Sequence, residues 1–488
     1  MAGYIIAIDQ STQSTKALLF DGAGRILLRV DRPHRQLIDE RGYVEHDPEE
    51  IYGNLLSLIP ELLQKSGVDP QEIWAVGISN QRETALMWDR ATGKPVYNAV
   101  VWQCARGAAI CDELAASAEA VRQKTGLRLS PYFSAAKLAW ILRNVPGVRE
   151  RAEKGEICCG TMDSYLIFRL TGGKAFRTDY SNASRTQLFN IHSLAWDEEL
   201  LSLFGIPSRC MAELTASDAV FGETDFGGAL PHPVPIHCAL GDSHAALFAQ
   251  GCLEKGMLKV GYGTGSSIMM NIGEKPILSQ LGIVTSLAWK LKGQVNYILE
   301  GNVNYSGAIV TWLKDQAGLL SSAKESQALA EKANPQDKTY LVPAFSGLGA
   351  PYWRSDVSAA FIGMSRTTGR AEMVKAGLEA IAYQITDIVE LMQQEARIPQ
   401  VELRVDGGPS RNGWLMQFQS DMLRSPVLVP EAEELSCVGV AYAAGMALGL
   451  YNESIFENNR YFRYTPGMDE ALRRQKHAGW KEAVKRIL

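Results

Sequence analysis

Short apolar runs broken by polar turns recur along the whole chain, and their spacing predicts alternating strands and helices. Tyr4 to Ile8 and Ala17 to Phe20 are apolar runs joined by a tight polar loop, the pattern of a β-hairpin. Arg25 to Val30, after the turn residues Gly22 and Gly24, reads as a third strand. Asp47-Pro48-Glu49-Glu50 is a helix start: Asp at the N-cap, proline in the first turn, acids near the positive end of the dipole. That helix runs to about Gln64, with Pro60 as a candidate kink. Ile73 to Ile78 is a buried strand ending in the polar cluster Ser79-Asn80-Gln81-Arg82-Glu83-Thr84, and open α/β sheets place ligands at such strand ends. One helix is expected over roughly Ala105 to Gly126 and another from Ser134 through Ile141. Ile236 to Leu240 is a strand leading into Gly241-Asp242-Ser243-His244 and a helix from Ala245 to Gln250.

Met257 to Met270 repeats the opening layout half a chain later: an apolar strand, a loop of Gly, Ser and Thr, an apolar strand. The reading is a duplicated architecture with a domain boundary near residue 250, residues 1–250 and 251–488; the alternative is chance similarity of two hairpins. The second half continues with a helix over Tyr305 to Leu319, a Gly/Pro-rich loop from Pro343 to Trp353, and a long apolar helix from Ala371 to Glu395. A strand over Val401 to Val405 then meets a third Gly-rich turn, Asp406-Gly407-Gly408-Pro409, and Val438 to Leu448 is a helix of small residues.

Composition adds boundaries. The chain has 488 residues, 46% hydrophobic and 21% charged, enough for two or three domains with sizeable cores. A net charge of -5 without basic blocks gives no sign of nucleic-acid or membrane partners. No apolar run reaches the ~18 residues of a membrane span, and no signal-peptide pattern opens the chain. The 8 Cys are scattered, without a C-x-x-C pair, which fits reduced thiols in a cytoplasmic protein.

Candidate chemistry lies at the turns. The first loop holds Asp9, a row of hydroxyl and amide side chains, and Lys16. Such a loop can surround a phosphate, with Asp9 placed for Mg²⁺; an ordinary surface hairpin with an Asp turn is the plainer reading. Asp242 follows a strand and opens a helix, so it is either a general base facing a cleft or a helix cap. Arg82 and Glu83 can serve adjacent hydroxyls or form a surface ion pair, and Trp102 and Tyr132 can bound a carbon chain or fill a core. His244 shows no ligand spacing and reads as structural.

Taken in order, these turns resemble the FGGY carbohydrate kinases, with the glycerol kinases as the nearest branch. Tyr132-Phe133-Ser134-Ala135-Ala136-Lys137-Leu138-Ala139-Trp140-Ile141 looks like one family signature, and Ala359-Ala360-Phe361-Ile362-Gly363 with Leu378-Glu379 like the other. Asn80 to Thr84, Val101-Trp102-Gln103-Cys104, Asn182 to Thr186, Pro343 to Trp353 and Met416 to Asp421 extend the likeness over essentially the whole chain. The resemblance implies a two-domain actin-like, ribonuclease H-like α/β fold with the active site in the interdomain cleft. The reaction it implies is ATP-dependent phosphorylation of a primary hydroxyl of a small polyol, glycerol first, with Mg²⁺. By the same resemblance Asp242 is the catalytic base, and Arg82, Glu83, Trp102, Tyr132, Ser243 and Ser267 form the substrate pocket. Asp9 holds the metal through water. Thr12, Gln13, Lys16, Gly263, Thr264, Gly307, Val310, Thr311, Gly407, Gly408 and Asn412 belong to the nucleotide side. The family commonly forms dimers or tetramers, so a homodimer or homotetramer is a possible state.

Departures from that pattern matter. Ser243-His244 replaces Gln-Gln after the base, and Ser266-Ser267 replaces a Cys-Phe pair whose Phe packs on the glycerol carbons. Asn302 and Asn304 stand where small or apolar residues are usual. A longer polyol or a ketose is therefore the enzymatic alternative, and an actin-like ATPase without kinase activity the remote one. Lys16 replaces an Arg, and Gln13 a Thr or Ser. The loop Gly227-Gly228-Ala229-Leu230-Pro231-His232 lacks the Arg that some bacterial relatives use for fructose bisphosphate.

Overall fold

Two mixed sheets frame the molecule in the computed structural model, which describes residues 3–399 and 401–488. The first half supplies strands β1 (Tyr4–Gln10), β2 (Ser14–Phe20), β3 (Ile26–Pro33), β4 (Ile73–Asn80), β5 (Gly222–Thr224) and β6 (Val234–Gly241), in the order β5-β6-β4-β1-β2-β3. Its main helices are α1 (Pro48–Ser66), α2 (Ser134–Asn144) and α3 (Asp242–Ala249). The second half supplies β7 (Leu258–Tyr262), β8 (Ser266–Gly273), β9 (Val284–Leu291), β10 (Gln294–Val303), β11 (Leu403–Gly407), β12 (Val427–Pro430) and β13 (Tyr461–Tyr464), ordered β9-β10-β8-β7-β11-β12-β13. With it come α4 (Gly307–Asp315), α5 (Arg370–Ala396), α6 (Gly413–Leu423), α7 (Leu435–Ala447) and α8 (Glu470–Lys485).

The two hairpins hold the same place in their sheets. Strand β1 runs antiparallel to β2 and parallel to β4; strand β7 runs antiparallel to β8 and parallel to β11. Both central strands are buried on both faces, so β1 is a near-continuous apolar run, and the one charge inside β7, Lys259, is paired with Asp406 at 3.0 Å. The third antiparallel neighbour follows in each case, β3 beside β2 and β10 beside β8.

Helix α1 begins as its sequence predicts: Asp47 caps it by accepting from Glu49 N at 2.9 Å. The helix continues through Pro60 to Ser66, with the proline on the exposed side. The single helix expected over 105–126 is instead two, Ala108–Glu113 and Ala118–Thr125, joined by a 3₁₀ turn. The first piece buries Ile110 and Cys111 against α2, while the second turns toward the other half, where Gly126 O accepts from Thr285 N. The helix expected over 305–319 is shorter, since the chain turns through Gly318 in the left-handed region.

Helix α7 comes from the second half of the sequence but packs on the first sheet, against β1, β4 and α3. Its small residues allow that contact: a Cβ on Gly439 would lie 1.9 Å from Ala245 O, and one on Gly77 of β4 would lie 2.7 Å from Val440 O. No described helix is long and apolar enough to cross a membrane.

Candidate active site

The end of β1 carries Asp9 into the space between the sheets. Its carboxylate is 3% exposed, accepts from Ser79 Oγ of β4 at 3.0 Å and faces Lys16 Nζ of β2 at 3.5 Å. Burial raises its pKa to about 6, opposed by Lys16 and reinforced by the negative charge of Asp242. Ser79 of β4 is paired with Asp9 of β1 on one side and with Leu240 of β6 on the other, so the strand ends bring Asp9 and Asp242 to one site although 233 positions (242 − 9) separate them in sequence.

Asp242 is the first residue of α3. It does not cap that helix; Gly241 holds the cap position, and the Asp242 carboxylate accepts from the next N–H, Ser243, at 2.6 Å. The side chain is 32% exposed, and Arg82 Nε lies 3.5 Å from Oδ1. One carboxylate is thus dry and tied down while its neighbour is open to the cleft.

Arg82 and Glu83 are both buried, and each is paired elsewhere rather than with the other. Arg82 makes a two-pronged contact with Glu300 of β10, both N–H···O distances being 2.9 Å. Glu83 accepts from Arg185 Nε at 2.6 Å, and Arg185 also reaches Glu300 at 2.8 Å. Glu83 sits at φ 58, in the left-handed region a side chain disfavours, held there in part by Ser134 Oγ on its carbonyl. Burial opposes charge on Glu300, yet Arg185 and Arg82 hold its carboxyl well below the usual carboxylate range. Ser267 Oγ of β8 donates to the same Glu300 oxygen that Arg82 Nη2 uses, at 2.9 Å. This network joins the halves of the chain through charge as much as through hydrogen bonds, since Arg185 Nη1 and Nη2 have no hydrogen-bond partner among the described residues.

The aromatic pair closes the pocket on the other side. Trp102 and Tyr132 meet edge to face with centroids 5.7 Å apart, and Trp102 Nε1 donates to Thr12 Oγ1 of the first hairpin loop at 3.0 Å. Lys137, fully buried at the start of α2, donates to the carbonyls of Pro131, Tyr132 and Phe133 and so fixes the segment that carries Tyr132.

Next to this pocket is a cavity of about 550 Å³, bordered by Gly307, Val310 and Thr311 of α4 with Gly408 and Asn412. The loop of the second hairpin adjoins it: Gly263 O accepts from Gly307 N and Thr264 O from Ala308 N. Gly407, at φ 92, passes so close to β7 that a Cβ would lie 1.9 Å from Tyr262 O. The structure brings Asp9, Thr12, Lys16, Arg82, Trp102, Tyr132, Asp242 and Ser267 into one connected site, with Glu83 joined through Arg185 and Ser243 through Asp242. Gln13 stands apart, its side chain exposed and its carbonyl accepting from His34 N. His244 is buried and kept neutral by burial and by Arg82; neither ring nitrogen has a hydrogen-bond partner among the described residues.

Known proteins of the same kind decide the family. The N-terminal domain of the FGGY family of carbohydrate kinases matches residues 4–249, and its C-terminal domain matches residues 258–448. The chain belongs to the FGGY carbohydrate kinases. Among FGGY relatives it is 49% identical to glycerol kinase 1 of Thermotoga maritima over 490 residues, covering 99% of each chain. It is 45% identical to the glycerol kinase of Bacillus licheniformis, again over 99% of each. The crystal structure of Plasmodium falciparum glycerol kinase with ADP superposes with a TM-score of 0.95 at 34% identity, covering 100% of this chain and 98% of that one. Gluconate kinase from Lactobacillus acidophilus, at 21% identity and a TM-score of 0.90, shares the fold.

For an FGGY kinase read from sequence, Glu300, Arg185 and Glu434 are the residues that motif reasoning leaves without a role. Glu300 had a signal: it is the one carboxylate in the apolar run Tyr297 to Val303. Glu434 had none, because it sits among the surface acids Glu431 and Glu433.

Proposed function

We propose that this FGGY kinase transfers the terminal phosphate of ATP to a primary hydroxyl of a small polyol, glycerol above all. The domain division lies near residue 250 on this reading, with the polyol pocket in 1–250 and the nucleotide side in 251–488. The observation that carries it is the pair of neighbouring carboxylates in unlike surroundings, dry Asp9 and open Asp242, beside the Arg82–Glu300 pair. The full-length identity to glycerol kinases supports the choice of glycerol.

Phosphoryl transfer to an alcohol needs positioning, charge neutralisation and a proton acceptor. Arg82 and Glu83 hydrogen-bond the polyol hydroxyls, and Trp102 and Tyr132 flank its carbons. Asp242 Oδ takes the proton of the attacking hydroxyl as the new O–P bond forms. Lys16 lies by the transferring phosphate, and the adenosine occupies the 550 Å³ cavity. Oxygen donors suit Mg²⁺, and the buried Asp9 carboxylate, with Asp242 close enough to raise its pKa, fits such a cation. When bound, Mg²⁺ neutralises phosphate charge. Expulsion of water by closure of the two halves limits ATP hydrolysis.

Ser267 favours a second reading. Its hydroxyl is part of the pocket network where an apolar residue would reject extra hydroxyls, and with its proton donated to Glu300 its oxygen is left as an acceptor for a further hydroxyl of a tetritol, pentitol or ketopentose. Coupled ADP-release assays over glycerol, erythritol, threitol, the pentitols and ketopentoses test both. The highest kcat/KM belongs to glycerol on the first reading; a higher value for any other polyol or ketose overturns it in favour of the second.

A further inference from the structure

Lys16 lies between two carboxylates that come from opposite ends of the chain. Asp9 Oδ2 is 3.5 Å from Nζ, and Glu434 Oε2 accepts from Nζ at 2.8 Å. The other oxygen of Glu434 is held by Arg29 Nη1 of β3, and Arg29 Nη2 is in turn 3.3 Å from Asp31. Glu434 occupies the N-cap position of α7, yet its side chain makes no capping bond to that helix. It gives up the usual role of a residue at that place and turns to Lys16 and Arg29 instead. Its backbone is fixed, because α7 is seated on Ala245 of α3 through Gly439 and on Gly77 of β4 through Val440. Of these elements, β4 carries Ser79 beside Asp9 and α3 begins at Asp242. One rigid helix thus backs both candidate catalytic carboxylates and presents a third to the lysine.

We propose that Glu434 is a positioning residue of the transfer reaction, acting through Lys16. The proposal rests on the reading of the first hairpin as the phosphate side. A lysine ammonium is a point charge on a flexible stem and has no planar fork to orient it. With Glu434 in place the ammonium is drawn off Asp9, which stays free to serve a cation, and it is held where a phosphate can share it. Without that anchor the nearest carboxylate is Asp9, and the ammonium closes on it.

Steady-state kinetics and thermal melting of the full-length Glu434→Gln, Lys16→Gln, double and Arg29→Gln variants test this. Glu434→Gln should lower kcat about tenfold, on the scale of a slightly misplaced catalytic group, with the polyol KM within about twofold. The double variant should be no slower than Lys16→Gln alone, since Glu434 has nothing left to position. Arg29→Gln, which loses ion pairs at the same place but leaves the lysine contact, should keep kcat within about threefold. Losses that multiply in the double variant overturn the proposal, as does an unchanged kcat in Glu434→Gln. Equal losses in Arg29→Gln and Glu434→Gln, matched by equal falls in melting temperature, mark a structural role and overturn it too. An unchanged kcat in Lys16→Gln overturns the reading of the hairpin itself; multiplied losses on top of a damaged Lys16→Gln overturn only the role of Glu434.

Discussion

The two hairpins occupy equivalent places in their sheets but are built from different materials. The first puts its chemistry in side chains: Asp9 and Lys16 face each other across a strand pair, and Thr12 binds the pocket Trp102. The second has no charged side chain in its loop; Gly263 and Thr264 engage α4 through their carbonyls, and Gly407 of the adjoining strand passes within contact of Tyr262. Duplicated topology therefore does not mean duplicated chemistry. One copy carries charged side chains at its turn, while the other meets α4 with main-chain carbonyls. The difference also fits the sequences of the turns: the first carries side chains, and the second is Gly263-Thr264-Gly265.

That contrast yields graded expectations. Asp9→Asn should have the largest effect, a fall in kcat of about 10³-fold, or about 4 kcal/mol, if this side chain serves the metal side. The same substitution should raise stability in the absence of Mg²⁺. The folded-state pKa of Asp9 is raised to about 6 from 3.8, so its favourable contribution is complete below pH 3.8 and is lost as pH rises through 6. At pH 7.5 the buried charge then costs up to about 3 kcal/mol that asparagine does not incur, and the gap should vanish near pH 3.5. Urea melts of both proteins in EDTA across that range check the sign; a gap that widens as pH falls would break the account.

Gly407→Ala tests the second hairpin's surroundings, where backbone rather than side chain decides. It should cost about 3 kcal/mol in urea unfolding, from a positive φ and from collision with Tyr262 O together. Thr264→Ala is the smallest case. Its side chain is exposed and its loop contacts are main-chain, so stability should move by less than about 0.5 kcal/mol. Its KM for ATP should change by less than about threefold. A tenfold rise would show that the second loop also works through a side chain.

Much of this was legible in the sequence because it is local. The strand runs, the Asp47-Pro48 helix start and the repeat of the hairpin follow from patterning within a few residues. Arg82 and Glu83 were legible as a pair of polar residues at a strand end, but not their partners. Glu300 lies 218 positions from Arg82, and Glu434 lies 418 from Lys16. Only the packing of β10 and α7 on the first half creates those contacts, and a carboxylate in a surface-like acidic run gives no sign of it. The break in the helix over 105–126 was hidden for the same reason, since its two pieces bury their apolar residues against different parts of the molecule.

The central claim is that Asp242, the open member of the carboxylate pair, accepts the proton of the hydroxyl that becomes phosphorylated. Single-turnover phosphoryl transfer from ATP to glycerol by Asp242→Asn tests it most directly. The account predicts a rate lowered by about 10²–10⁴-fold, with melting temperature near that of the unaltered protein because the side chain is only loosely held. Transfer at close to the original rate by the folded variant would contradict it.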